Sequence, residues 1–558
     1  MQAFPDGSVI NRIHVVQKAL EQNGIEDIAE VTIPAGAQVL ALRTIKADGT
    51  VLEPENIEGK DNISLPGVNV GDYVEVEYLL AESGRGPVQQ GFVASPFYFQ
   101  IANMTNNWVT YTVVAPKGTG MRVDAHGLKV PPIQTKGDVE VFTYEARRVP
   151  PHIPEPESPW SSNEYLPFVI VGAGTTGQDR LASVWGDALV ERYKPNADIE
   201  AFARKTAEGK TGVEAVKALH SAIMKRIPGR DVGVVQSAIS TLAQDRGSRL
   251  MLLKASLETL GIPARLATVR TFSSDPAPYV FPNDQLLLSY TGLRVFVPGE
   301  EPLWVDTTVR FGPFGGLPEN ALGERDCYLL PEPGRPMEKL KTPPLVEKVN
   351  KQVTLQMELK PDGHLVVQGE EIYSDFVGAN LAESFNALSA ESRRQSLQGA
   401  VTRYFGGADL TSVKIDHPEE VGAPFILRYE FNVPRFARIE DKRIVLGPIT
   451  FPAMLGRRYV QLSSRKAPLF IDDSEASNTQ ATLTLPEGWR LQDPQASLKV
   501  TNRFGRYVRS EKQEGRVLTI LEGLRLPRTR VMPNEYETFS QFAGDLDLIQ
   551  TRDLVLVR

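Results

Sequence analysis

One cysteine and six histidines are all the thiol and imidazole that this 558-residue chain contains. A lone cysteine excludes an internal disulfide framework and any cysteine-rich zinc site, although it does not fix the redox compartment. The six histidines show no H-x-x-x-H or H-E-x-x-H spacing, so the sequence offers no catalytic zinc site, and it calls for no cofactor. Long apolar runs are missing too: nothing approaches the roughly 18 residues needed to cross a bilayer. Clustered basic charge is also absent. Lys and Arg number 61 against 69 Asp and Glu, a net charge of −8. The cations are scattered, so nucleic acid is not an expected partner.

What is present is ordinary globular material in an amount too large for one core. Hydrophobic residues at 41% and charged residues at 23% are typical of folded domains, and the length calls for about three or four of them. The opening, MQAFPDGSVINRIHVVQKAL, has neither a basic n-region nor an apolar h-region, so it is no signal peptide. Pro5-Asp6-Gly7-Ser8 reads as a hairpin turn whose first strand is expected upstream of Met1. That expectation leaves room for an upstream domain or export signal. The compartment stays open, with a lean to the bacterial envelope or periplasm.

Residues 1–150 alternate in the manner of strands, over Val9–Gln17, Val31–Ile33, Val39–Ile45, Tyr73–Leu80, Trp108–Val114 and Val139–Glu145. Turn signals such as Ala47-Asp48-Gly49-Thr50 separate them, and a β-sandwich is the expected architecture. Arg148–Trp160 carries five prolines in thirteen residues, an extended joint suited to a domain boundary. Residues 164–340 turn helical and then strand-forming. Helices are expected over Gln178–Tyr193, Ala197–Ala207, Val213–Ile227 and Arg249–Leu260. In the last of these Leu250, Leu253, Leu257 and Leu260 place one face in the core. Gly261 is set to cap that helix and Pro263 to stop it. Residues 346–558 return to strands, with a helix over Ala390–Tyr404, a strand over Arg458–Leu462 and a closing helix from Asn534. A second β-sandwich-like domain with helical insertions is expected.

Gly172-Ala173-Gly174-Thr175-Thr176-Gly177 matches G-x-G-x-x-G and precedes a helix. A dinucleotide fold would need a parallel strand after that helix, ending near an acidic residue. Lys-Pro-Asn-Ala-Asp and a polar helix follow instead, so the motif reads as a loop joining two segments. Glu155 with Glu157, and Asp472-Asp473-Ser474-Glu475, read as charged surface loops. Hard oxygen ligands close in sequence make a calcium site at the second a minor alternative.

The segment from Ser240 to Thr271, followed by Leu303–Thr308, is more specific. Leu260-Gly261-Ile262-Pro263-Ala264-Arg265, the strand Leu266–Arg270 and the later Trp304-Val305-Asp306-Thr307 resemble the transglutaminase-like superfamily. The resemblance implies an α+β, papain-like core with a cysteine at the start of a buried helix, a histidine on a strand, and an aspartate that orients it. Such chemistry needs a thiolate beside an imidazole. Carried over, the cysteine position falls on Arg246 without gaps, or on Ser248 or Arg249 when Gly247 is the anchor. The histidine position falls on Thr291, and only Asp306 survives. The β-rich leader and the ending from Pro533 also resemble the arrangement around such cores.

The sequence therefore predicts an α+β multidomain protein: an N-terminal β-sandwich over 1–150, a transglutaminase-like core over 164–340 and a C-terminal β-sandwich-like domain over 346–558. The core is expected to be a pseudoenzyme, with Ser248, Thr291 and Asp306 as vestigial positions and a protein or peptide as partner. The competing expectation is a hydrolase or acyltransferase using Ser248 with a histidine from another domain; His220, on the preceding helix, reads as a packed or partly exposed helical histidine. Cys327 is expected to be a small buried residue.

Overall fold

The computed structural model describes residues 1–55, 62–83, 91–174, 178–276, 280–281, 289–416 and 419–558. It is an α+β multidomain chain dominated by sheets, and it divides into two compact units. The first comprises Met1–Ile153, Leu166–Val184 and Ala277–Pro282; the second comprises Pro154–Tyr165, Trp185–Pro276 and Asn283–Arg558. The break between Ile153 and Pro154 falls inside the Pro-rich stretch Arg148–Trp160. The chain then returns to the first unit, so residues 166–184 do not belong with the segment expected to begin at 164.

The cause of the return is one apolar strand. Phe168–Gly174 has six of its seven residues buried, and a strand buried on both faces needs partners on both edges. It finds them antiparallel in Arg122–His126 and in Gly91–Val93 with Phe97–Tyr98. Antiparallel partners on both sides are not a βαβ unit, so no dinucleotide fold is built here. Gly172 serves close packing instead: a Cβ there would lie 2.7 Å from the carbonyl oxygen of Phe92. Thr175, Thr176 and Gly177 lie outside the described residues.

The first unit also holds a long sheet in the order Gln134–Lys136, Val139–Val149, Asn106–Pro116, Gln2–Ala3, Val9–Lys18, Tyr73–Glu82, Gln38–Ile45, Val51–Leu52. Val113, Ala115 and Phe142 of that sheet share a core with Phe92, Val169 and Val171 of the smaller one. The N-terminal hairpin corrects the sequence reading. Its first strand, expected upstream of Met1, is Gln2–Ala3 itself, paired with Val9 and Ile10. Two residues are too short to show alternation, and the strand is held by a parallel partner at Val114 from far along the chain.

In the second unit, an eight-stranded sheet runs Asp409–Asp416, Phe425–Val433, Leu365–Tyr373, Lys351–Leu359, Glu475–Thr484, Val517–Leu526, Gly505–Glu514, Leu498–Asn502. Its buried face is covered by a mixed layer. Ala379, Ala382, Leu397 and Val401 come from helices, and Ile444, Leu446, Leu554 and Leu556 from a four-stranded sheet. The helices are thus part of the second layer rather than insertions into a sandwich. The strand expected over Arg458–Leu462 is instead a short helix, Leu455–Tyr459. Its first N–H groups, on Leu455 and Gly456, each donate 2.8 Å to the carboxylate of Asp547. That cap comes from a helix some ninety residues away, which no local pattern reveals.

The central segment carries the elements that matter for the site. Helices α1 (Gly212–Arg226), α2 (Ala238–Gln244) and α3 (Arg249–Thr259) precede strands β1 (Ala264–Val269), β2 (Tyr290–Val295), β3 (Leu303–Val305), β4 (Asp326–Leu329) and β5 (Glu338–Lys341). The strands form an antiparallel sheet in the order β3-β2-β1-β4-β5. Gly261 closes α3 at φ +66°, with Ile262 N–H returned 3.0 Å to Leu257 O, as a glycine cap does. The burial of α3 exceeds what its leucine spacing implies. Every residue from Arg249 to Leu257 is buried, Lys254 included, because neighbours surround the helix rather than cover one face.

Candidate functional site

Asp306 leaves β3 and turns its carboxylate inward, 2% exposed. Its Oδ1 accepts from the Tyr290 hydroxyl at 2.8 Å and from Thr308 Oγ1 at 2.7 Å, and its Oδ2 from Val309 N–H at 3.1 Å. Tyr290 opens β2, the strand paired with β3. Gly292 makes this reach possible, since a Cβ there would lie 2.8 Å from the Tyr290 hydroxyl oxygen. Thr291, the position carried over for the histidine, is half-buried and sits opposite Thr268. Successive strand side chains point to opposite faces, so Thr291 faces away from the side on which Tyr290 meets Asp306. The strand residue that reaches the carboxylate is therefore the neighbour, Tyr290.

A tyrosine there is not an imidazole in function. Burial, and then the negative charge of Asp306, push its phenol well above the ordinary tyrosine range. It is a neutral donor with no proton to spare and no lone pair poised as a base.

At the tip of α3, Ser248 is the N-cap. Its Oγ accepts from Met251 N–H at 2.9 Å and donates to the carbonyl oxygen of Gly233, while its own N–H donates 3.0 Å to Thr241 Oγ1. The residue is fully buried, so the hydroxyl is a committed capping group. Arg249 follows, also fully buried. Its Nη2 donates 2.8 Å to Gly229 O, and its Nε lies 3.9 Å from Asp231 Oδ2. Burial lowers the Arg249 pKa and raises that of Asp231 to about 6. Arg246, the ungapped alternative, is exposed and donates 3.3 Å to Gln244 Oε1.

His220, on α1, is 2% exposed and its Nε2–H donates 3.0 Å to the backbone oxygen of Asp306. Its ring lies against Phe314 at 5.6 Å between centroids. Burial holds its pKa below the usual histidine value, so it is a neutral structural donor. The imidazole and the Ser248 hydroxyl each spend their bonds on different backbone oxygens. The tip of α3 thus carries a serine cap, an arginine, an aspartate beneath them and a tyrosine–aspartate pair beyond. Sequence reasoning missed Tyr290 and Asp231. The signal for Tyr290 was its place beside Thr291; for Asp231 there was none, because only folding brings its loop over the helix.

Cys327 lies in β4 at 1% exposure, and burial pushes its thiol up to about 12. The acidic loops are engaged in pairing. Asp472 accepts from Arg528 Nη1 at 2.9 Å and from Ser273 Oγ at 2.8 Å, and Asp473 from Arg458 at 3.1 Å. Glu155 accepts the N–H groups of Lys466 and Ala467 at 2.8 and 3.0 Å. Among the described residues no group of His, Cys, Asp and Glu is arranged to hold a metal ion, and no helix is long and apolar enough to cross a membrane. A groove of about 390 Å³ opens at the far end of α3, lined by Tyr193, Lys194, Glu258, Ile262, Pro263 and Glu332. It is remote from the tip.

Residues 442–556 match a family described as a Domain of Unknown Function with solved-structure structure, DUF3858. No curated protein matches the sequence. Among solved structures, one from Parabacteroides distasonis, described as a "putative protease", is similar over 100% of this chain and 97% of its own. Its TM-score is 0.59 at 13% identity. At that identity the likeness concerns the fold alone.

Proposed function

We propose that the chain is a catalytically inactive protein of the transglutaminase-like type. On this reading it has β-sandwich-like flanks, and its central segment serves as a binding or scaffold module for an extended peptide or a cell-envelope polymer. The observation that carries this reading is the state of the α3 tip. The Ser248 hydroxyl is spent on the helix N–H and the Gly233 carbonyl. The ring that donates to the Asp306 carboxylate is a phenol, while the His220 imidazole is spent on the Asp306 backbone oxygen. A nucleophile without a base within hydrogen-bond reach has no route to lose its proton. Edge strands such as β3 and Asp409–Asp416 offer the physical route for adding a peptide strand. The envelope as compartment belongs to the same reading.

The second reading, a hydrolase or acyltransferase using Ser248, is favoured by the description of the Parabacteroides distasonis protein. The test incubates the whole chain with serine- and thiol-directed activity probes and with a peptide library. The expected result is no labelling of Ser248 and no turnover. Labelling or amide turnover abolished by Ser248→Ala, in a variant that still folds, would establish the enzyme.

A further inference from the structure

The eight-stranded sheet of the second unit buries one face and opens the other to solvent at its middle strands. Side chains alternate along a strand, so Lys351–Leu359 buries Val353, Leu355 and Met357 and turns Gln352, Thr354 and Gln356 outward. Its parallel neighbour, Glu475–Thr484, sets Asn478, Gln480 and Thr482 beside those three in register. Five of the six are exposed and Thr482 is half-buried. The block they form holds only amides and hydroxyls. Asn478 Oδ1 accepts from Arg525 Nη2 at 3.1 Å; the other five side chains have no hydrogen-bond partner among the described residues. The next two strands add an apolar flank. Leu521 lies opposite Gln480, and Val508 opposite Gly523; Leu521 is 49% and Val508 40% exposed. The charges around the block are paired with each other. Arg428 donates 2.7 Å to Glu370, Lys512 lies 2.6 Å from Glu514, and Arg525 Nε donates 3.1 Å to Glu347.

We propose that this open face binds an uncharged polysaccharide, laid across the strands with its hydroxyls on the amide block and an apolar ring face on Leu521. A glutamine side chain presents two donors and an acceptor in one plane. Neighbouring ring hydroxyls, each both donor and acceptor, satisfy that set. Strands lie about 4.8 Å apart, so stepping from one strand to the next advances by about the width of one sugar ring. An acidic polymer would need unspent cations, and the arginines and lysines here are already paired. A protein partner would need buried aromatic or arginine anchors at the centre of its contact, and the block supplies none. The inference concerns a surface other than the tip of α3, and it stands whether or not Ser248 is inert.

The test is affinity electrophoresis of the whole chain in native gels cast with mixed-linkage β-glucan, xyloglucan, galactomannan or dextran. Gels with polygalacturonate and with denatured casein serve as the acidic and the polypeptide comparison. Retardation by at least one of the neutral polymers is expected, and added salt should leave it unchanged because no charge is involved. Gln356→Ala combined with Gln480→Ala should weaken it about tenfold, the effect of losing two modest hydrogen bonds. Leu521→Ser, on the flank, should weaken it as well. All three positions are exposed, so thermal unfolding should stay where it is in the wild type. No retardation by any neutral polymer, equal or stronger retardation by polygalacturonate or casein, or undiminished binding in both variants overturns the proposal.

Discussion

The Tyr290 hydroxyl donates 2.8 Å to Asp306 Oδ1, across two strands and inside a fully enclosed site. A strand phenol thus supplies one of the two side-chain donors to that carboxylate, with Thr308 Oγ1 as the other. The carboxylate is buried, and each of its oxygens accepts a hydrogen bond.

Tyr290→Phe is expected to destabilise the protein by about 1.5–3 kcal/mol, the range for a hydrogen bond to a charged group. Asp306 Oδ1 would retain only Thr308. Urea unfolding of the two proteins measures the difference, and a change near zero would mean that water replaces the phenol freely.

Arg249→Leu should cost little at pH 5 and about 3–5 kcal/mol at pH 8, the usual loss when one partner of a buried pair is removed. The sign follows from Asp231. Its folded pKa is already raised above the unfolded value, so its ionised form destabilises the fold as pH rises. Without Arg249 that pKa climbs further and the cost above pH 6 grows. Unfolding curves at the two pH values check this; equal losses at both would separate Asp231 from Arg249.

Gly261→Ala should lower stability by about 1–2 kcal/mol, since the residue sits at φ +66°. Nothing lies within 4 Å of a Cβ there, so the loss is backbone strain alone. Thermal unfolding gives the value. A loss as large as that of a core truncation would point to a contact that the backbone angle does not explain.

Arg509 bridges Glu511 and Glu522, each at 2.9 Å, with all three side chains at most 4% exposed. Arg509→Met should cost about 3–5 kcal/mol, because it leaves Glu522 buried without a cation while Glu511 keeps Arg552 at 2.6 Å. Adding Glu522→Leu to that variant should recover part of the loss. A double-mutant cycle by chemical denaturation reports the coupling, and strict additivity would show that the ions do not act on each other.

Much of the fold could be read in the sequence. Alternation located Val9–Lys18, Leu365–Tyr373 and Val517–Leu526 to within a few residues, and the Gly261–Pro263 stop placed the end of α3. The failures share a cause. Leu455–Tyr459 is a helix because a distant Asp547 caps it, and Gln2–Ala3 is a strand because residues a hundred positions away pair with it. Gly172 serves strand packing, which only the partner strand Gly91–Val93 reveals.

The sequence by itself determined that the chain has a single cysteine, Cys327, and no histidine between His220 and His364, and that a helix, a capped turn and a strand ending at Asp306 lie in that stretch. Those are properties of residue type and local periodicity. Tertiary structure alone decided what meets there: the loop from Gly229 to Gln236 over Ser248, Asp231 beside Arg249, and Tyr290 rather than Thr291 against Asp306. Side-chain direction along a strand flips with every residue, and loop placement depends on contacts far apart in the chain. Neither is written in any short stretch of sequence.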